Sequence, residues 1–389
     1  MNRKNLKFIT ILMVFAVIVV FTVCGRERPE GADSMMNLPP LKNDFSEYFD
    51  MGNILNPIDV SGGVVINNRL IRHYNVLTAE NHMKPSYLSP TRDSYNFNTA
   101  NNMVNSARAS GFKVVGHTLL WHSQIPNWQA ALRTNSTSRE DALQYMKNYI
   151  TTVVGEFKGR VYKWDVLNEA FPDGGFTGNW RTSMRSGNSD GNPWFMKIGA
   201  DFVYEGFLAA RLADPDAILY YNDYNMNIVG KSTMVRDMVR DVNAQYLASG
   251  DKPAGEDPAR LLIEGIGLQS HHNTGVSPAS VSASIALFRP LGVRLSISEL
   301  DVLSQSWGEY SSSTPPTDAG KARAAELYGD YFEIFLNNAD IIERVTFWGV
   351  YDEQSWRARA QPLIFEGNSV STAKQSYFNI IKALNAVSP

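Results

Sequence analysis

Cysteine is almost absent. Cys24 is the only one in 389 residues, so no disulfide can form within the chain and its core must hold the fold. Charge is sparse too: Asp, Glu, Lys and Arg make up 19% of the sequence, with 36 basic residues against 39 acidic ones and no basic run. That balance argues against nucleic acid and other polyanions as partners and suits a neutral polymer. The six histidines include no HExxH motif, and His117 with His122, or His271 beside His272, lack the spacing of a zinc-ligand pair. Gly265-Ile266-Gly267 is too little for a phosphate-binding loop. No cofactor and no metal are expected.

Long apolar runs are also missing, with one exception. Phe8 to Val23 is apolar apart from Thr10 and Thr22 and follows Arg3, Lys4 and Lys7. It falls short of the roughly 20 residues a bilayer crossing needs and has the layout of a signal peptide. Phe21-Thr22-Val23-Cys24 resembles a bacterial lipoprotein processing site, although Leu is usual where Phe21 stands and a smaller residue where Val23 stands. The expected organisation is a signal peptide over 1–24 with Cys24 lipidated, a polar tether over 25–37, and one domain over 38–389. The resemblance implies an outer-membrane lipoprotein in the bacterial envelope that meets the membrane through its lipid alone, and a monomer is expected. A secreted or periplasmic protein is the other outcome.

What is present is a repeating β–α pattern. Short apolar runs occur at Asp50–Leu55, Tyr74–Ala79, Lys113–Leu120, Val161–Leu167, Ile218–Asn222, Leu262–Gln269, Val293–Leu300 and Arg344–Tyr351. Helical periodicity lies between them at Ala100–Ser110, Ser138–Glu156, Ile198–Ala213, Lys231–Ser249, Ser277–Leu287 and Lys321–Asn338. Near-continuous apolar strands alternating with helices indicate a parallel sheet covered on both faces. Eight repeats predict an α/β fold of the single (β/α)8 TIM-barrel type. Polar and aromatic residues gather where the strands end, and all but one of the histidines lie there. A barrel would bring those ends to one face.

Two strand ends carry glutamates. Trp164-Asp165-Val166-Leu167-Asn168-Glu169 and Ser296-Ile297-Ser298-Glu299-Leu300-Asp301 both run from β-branched or aromatic residues into a carboxylate. A lone glutamate at a strand end is commonly a loop ion pair. Two, on strands meeting at one mouth, fit the acid and the nucleophile or base of glycosidic-bond hydrolysis. Asn168 either caps the turn or binds the hydroxyl beside the reacting carbon. His271 either satisfies the barrel top or relays between Asp301 and Glu299. Trp121, Trp348 and Trp356 are core residues or platforms for pyranose faces.

Glu80-Asn81-His82-Met83-Lys84-Pro85, Gly116-His117-Thr118-Leu119-Leu120-Trp121-His122, Trp164 to Ala170, Asn222-Asp223-Tyr224-Asn225, Gly267-Leu268-Gln269-Ser270-His271, Ser298 to Asp301 and Thr346-Phe347-Trp348-Gly349-Val350 together resemble the endo-β-1,4-xylanases of glycoside hydrolase family ten. The likeness covers roughly residues 45–385. It implies retaining cleavage within xylan and binding of xylo-oligosaccharides, with Glu169 as acid/base, Glu299 as nucleophile, and Asn168, His271 and Asp301 in support. It further implies that Glu80, Asn81, Lys84, His117, Trp121, Gln269, Trp348 and Trp356 bind sugar on the non-reducing side, and that Tyr224 lies near the cleavage point. His82, Leu167 and Ser298 depart from the usual Ser, Val and Thr. A β-1,4-glucanase, or a mixed enzyme, on the same site differs by one hydroxymethyl per sugar. A dead glycan-binding lipoprotein is the reading from another class.

Overall fold

The computed structural model describes residues 34–367 and 371–387. The expected signal segment over 1–24, with Cys24, lies outside them, as does most of the expected tether over 25–37. Eight parallel strands form the centre: β1 Asp50–Leu55, β2 Val76–Ala79, β3 Lys113–Leu120, β4 Lys163–Asn168, β5 Ile218–Asp223, β6 Gly265–Leu268, β7 Arg294–Leu303 and β8 Ile342–Phe347. Each pairs with the next in sequence, and β8 pairs with both β7 and β1. The sheet is therefore closed, as eight β–α repeats require.

Helices follow the strands in turn: α1 Asn68–His73, α2 Asn98–Ala109, α3 Arg139–Phe157, α4 Phe202–Ala213, α5 Val229–Ala248, α6 Pro278–Phe288, α7 Asp318–Leu336 and α8 Gln375–Val387. Local chemistry fixes their ends. Ser138 accepts from the Asp141 amide and caps α3, while Gly111 at φ +85° turns the chain out of α2. The expected boundaries of α2 to α7 hold within a few residues. Helix α1 has six residues, too few for a periodicity to register in sequence.

Strand β6 starts at Gly265, three residues later than expected, and two further strands differ from expectation for identifiable reasons. The eighth stops at Phe347 because Gly349, at φ +144°, bends the chain away. The seventh runs on to Leu303 because Asp301–Leu303 pairs with His271–Asn273 above the barrel. That extension sets Asp301 opposite His271 in register.

The packed body begins at the first described residue. Ser34 bridges to Thr372, the Met35 amide donates to Ser371, and Met35 is buried.

Candidate active site

Strand β4 delivers Asn168 into the barrel mouth, and the chain then turns sharply. Glu169, the next residue, has φ +54°, a left-handed conformation that costs a residue with a side chain about 1–3 kcal/mol. Its amide still donates to Asn222 O at 2.9 Å, as though the ladder with β5 continued. The turn aims the carboxyl across the mouth. There Oε1 accepts from Gln269 Nε2 at 2.9 Å and from Asn168 Nδ2 at 3.2 Å, and Oε2 accepts from Trp121 Nε1 at 2.9 Å.

Glu299 reaches the same space from β7 and is 5% exposed. Oε1 accepts from Asn222 Nδ2 at 2.7 Å, and Oε2 lies 3.1 Å from His271 Nε2. His271 Nδ1 is 2.9 Å from Asp301 Oδ2, so the ring sits between two carboxylates. Burial would lower the basicity of the His271 ring, but the Asp301 charge and the hydrogen bonds to Asp301 and Glu299 raise it to about 9. For Glu299, burial pushes the carboxyl up. The hydrogen bond from His271, the charges of His117 and His271, and the Asn222 amide outweigh that and hold it at about 2. At neutral pH this is an ionised carboxylate beside an imidazolium.

Asn222 joins the two sides. The same Nδ2 that serves Glu299 donates to Asn168 Oδ1 at 2.9 Å, and Ser298 Oγ donates to Asn222 Oδ1 at 2.6 Å. Its side chain occupies the space next to Gly267 on β6, where a Cβ would come within 2.1 Å of Asn222 Oδ1. Only glycine leaves room for this amide.

A cleft of about 550 Å³ opens above both glutamates. Glu80, Asn81, Lys84, His117, Trp121, Tyr224, Gln269, His271, Trp348 and Trp356 all line it with them, whereas Asn168 and Asp301 are buried behind its wall. Glu80 Oε2 accepts from Asn56 Nδ2 at 2.7 Å, and Lys84 Nζ donates to Gln124 Oε1 at 2.7 Å and to Asn81 Oδ1 at 3.1 Å. Burial lowers the basicity of Lys84 against the pull of Glu299, Glu80 and Glu169. Trp348 is 5% exposed and stands edge-on to His117, with ring centres 5.5 Å apart. Trp356 is 55% exposed and projects over His271, with its Nε1 donating to Asp301 Oδ2 at 3.0 Å. Hydrogen-bonding side chains and indole rings thus line one cleft, the composition that grips a pyranose by its hydroxyls and its C–H face.

Glycosyl hydrolase family 10 matches residues 40–383, nearly all of the described chain. The chain belongs to this family. A GH10 xylanase from termite gut that contains a bacterial Ig-like domain superposes with a TM-score of 0.84 at 46% identity, covering 91% of this chain and 79% of that one. A β-1,4-xylanase of Dictyoglomus thermophilum is 32% identical over 96% of this chain and 98% of its own. A protein named exoglucanase XynX, from Acetivibrio thermocellus, is 31% identical over 90% of this chain and 30% of its own.

Several contributors to this glycoside hydrolase's site were not singled out in the sequence. Asn222 was visible as a polar residue at a strand end; its place on the inward pleat, opposite a glycine on β6, was the signal for a role. His122, with Nδ1 3.9 Å from Glu169 Oε2, follows Trp121 directly. Gln124 and Asn56 act through other cleft residues and carry no motif. Arg185, which donates from Nε to Glu169 O at 3.0 Å, comes from the long loop after β4.

Proposed function

We propose that this family 10 hydrolase is a retaining endo-β-1,4-xylanase in which Glu299 is the nucleophile and Glu169 the acid/base. The observation that carries the assignment is the unlike surroundings of two carboxyls at one cleft. Glu299 lies against an imidazolium and an amide, whereas the groups that donate to the Glu169 carboxyl are a neutral indole and neutral amides, with the Arg185 and Lys84 cations acting only through space and the His122 ring kept uncharged at neutral pH by burial. In the first step a Glu299 oxygen forms a bond to the anomeric carbon as the bond to the leaving oxygen breaks. Glu169 gives its proton to that oxygen. In the second step Glu169 takes a proton from water, the water oxygen bonds to the anomeric carbon, and Glu299 leaves as carboxylate.

Asn168 and His271 with Asp301 support the two in this scheme. Glu80, Asn81, Lys84, His117, Trp121, Gln269, Trp348 and Trp356 hold the non-reducing side, with Tyr224 close to the cut. The xylanase names of two close relatives favour xylan. The test is kinetic. Glu299→Ala should abolish turnover of xylan and of activated aryl xylosides alike, while Glu169→Ala should retain bond cleavage for good leaving groups. Equal loss in both variants on both substrates would contradict the roles.

A glucan-cleaving or mixed activity is the second reading, favoured by the relative named an exoglucanase. Reducing-sugar release from xylan against carboxymethyl-cellulose separates the two. The envelope location, with Cys24 acylated, rests on the first 24 residues; the monomer is a separate expectation. Fatty-acid labelling that survives Cys24→Ala would end that part of the proposal.

A further inference from the structure

Glu169 keeps its left-handed backbone only if the peptide that follows it is held, and both edges of that peptide are. Its carbonyl accepts from Arg185 Nε at 3.0 Å. Its N–H, on Ala170, donates to Tyr221 Oη at 3.1 Å. Tyr221 lies on the opposite pleat of β5 from Asn222, so it faces away from the cleft and does not line it. Its hydroxyl donates to Asp223 Oδ2, and Asp223 Oδ1 pairs with Lys231 Nζ at 2.8 Å. Lys231 also reaches Asp173 Oδ1 at 3.0 Å and lies 3.6 Å from the centre of the Tyr224 ring. Tyr221, Asp223 and Lys231 are all fully buried.

Such a cluster is an expensive way to gain stability, since removing two charges from water costs several kcal/mol for each ion. What it supplies is direction. A phenol that gives its proton to Asp223 turns its lone pairs toward the Ala170 N–H. Lys231 in turn fixes the carboxylate and braces the underside of Tyr224. We propose that Tyr221, oriented by the Asp223–Lys231 pair, is a positioning residue for the Glu169 carboxyl, acting through the peptide after it rather than on the sugar. The proposal rests on Glu169 being the acid/base.

Tyr221→Phe removes the hydroxyl and keeps the ring. Its kcat/KM is measured on aryl β-xylobiosides with leaving groups from phenol to dinitrophenol. Positioned general acids contribute about 10²–10⁴-fold, so a misaimed one should cost at least about tenfold on phenol and stay within about twofold on dinitrophenol, which departs unprotonated. Asp223→Asn keeps an acceptor but weakens the pairing, so it gives a shallower slope of the same sign and carries the test if Tyr221→Phe does not fold. Equal loss along the series, in whichever variant folds, overturns the proposal. Glu169→Ala run alongside separates the two levels. A flat response there sinks the role of Glu169, whereas a steep response there beside a flat one for Tyr221→Phe sinks only the positioning role.

Discussion

Replacing His271 with Gln keeps a polar side chain between Glu299 and Asp301 but withdraws the positive charge. In the native protein the Glu299 carboxyl stands at about 2 against an ordinary 4.5. At about 1.4 kcal/mol per pH unit, the ionised form is favoured by about 3 kcal/mol. His271 supplies both a hydrogen bond and a charge to that balance, and burial, the largest single effect, opposes it. Without the imidazolium, His117, Asn222 and the Lys84 cation remain against burial, and the carboxyl should rise toward its ordinary 4.5. A depressed carboxyl is lost as pH falls through its folded value, so raising that value moves the loss upward. The acid limb of kcat/KM, a property of the coupled Glu299–His271–Asp301 set, should shift from below about pH 3 to between about 4 and 5.

Stability should fall as well, by about 3–5 kcal/mol, because one partner of a buried charge cluster is gone. In the native protein His271 is raised from 6.5 to about 9, so its contribution is complete below 6.5 and disappears as pH rises through 9. The variant should lack that alkaline loss. Paired pH–rate profiles and urea melts read both effects. A folded His271→Gln protein whose acid limb stays where the native one lies would refute the reasoning.

Gly267→Ala places a methyl 2.1 Å from Asn222 Oδ1. We expect overpacking to cost about 1–3 kcal/mol and kcat to fall as the amide leaves Glu299; an unchanged kcat in a destabilised protein would show that Asn222 has other ways to reach it. Trp356→Phe keeps an aromatic face but loses the indole donor to Asp301. That should cost about 1 kcal/mol, near fivefold in kcat/KM, while Trp356→Ala should raise KM further. Equal effects of the two would mean that the ring face contributes nothing to substrate binding.

The barrel was legible because its determinants are local. Strand period, helix caps such as Ser138 and stops such as Gly111 are written within a few residues of where they act. Every residue expected in the cleft proved to lie in it or directly behind it, because strand ends in a closed sheet have one place to go. The links between side chains from distant strands were not readable. Asn222 serves β4, β5 and β7 at once, Trp121 turns its indole N–H to Glu169 as well as its ring to the cleft, and Asp301 owes its reach to the extra pairing with His271–Asn273. No periodicity records such pairings. The left-handed turn at Glu169 is equally silent, since sequence gives glycine rather than glutamate as its cue.

Asn222 also has a consequence for what must move during turnover. One amide touches the Glu299 carboxylate and the Asn168 side chain that touches Glu169, so the two jaws of the site are parts of a single stiff caliper. If Glu169 and Glu299 have the roles proposed above, a gap tied in this way leaves most of the flexing to the sugar ring as a bond forms on one side and breaks on the other.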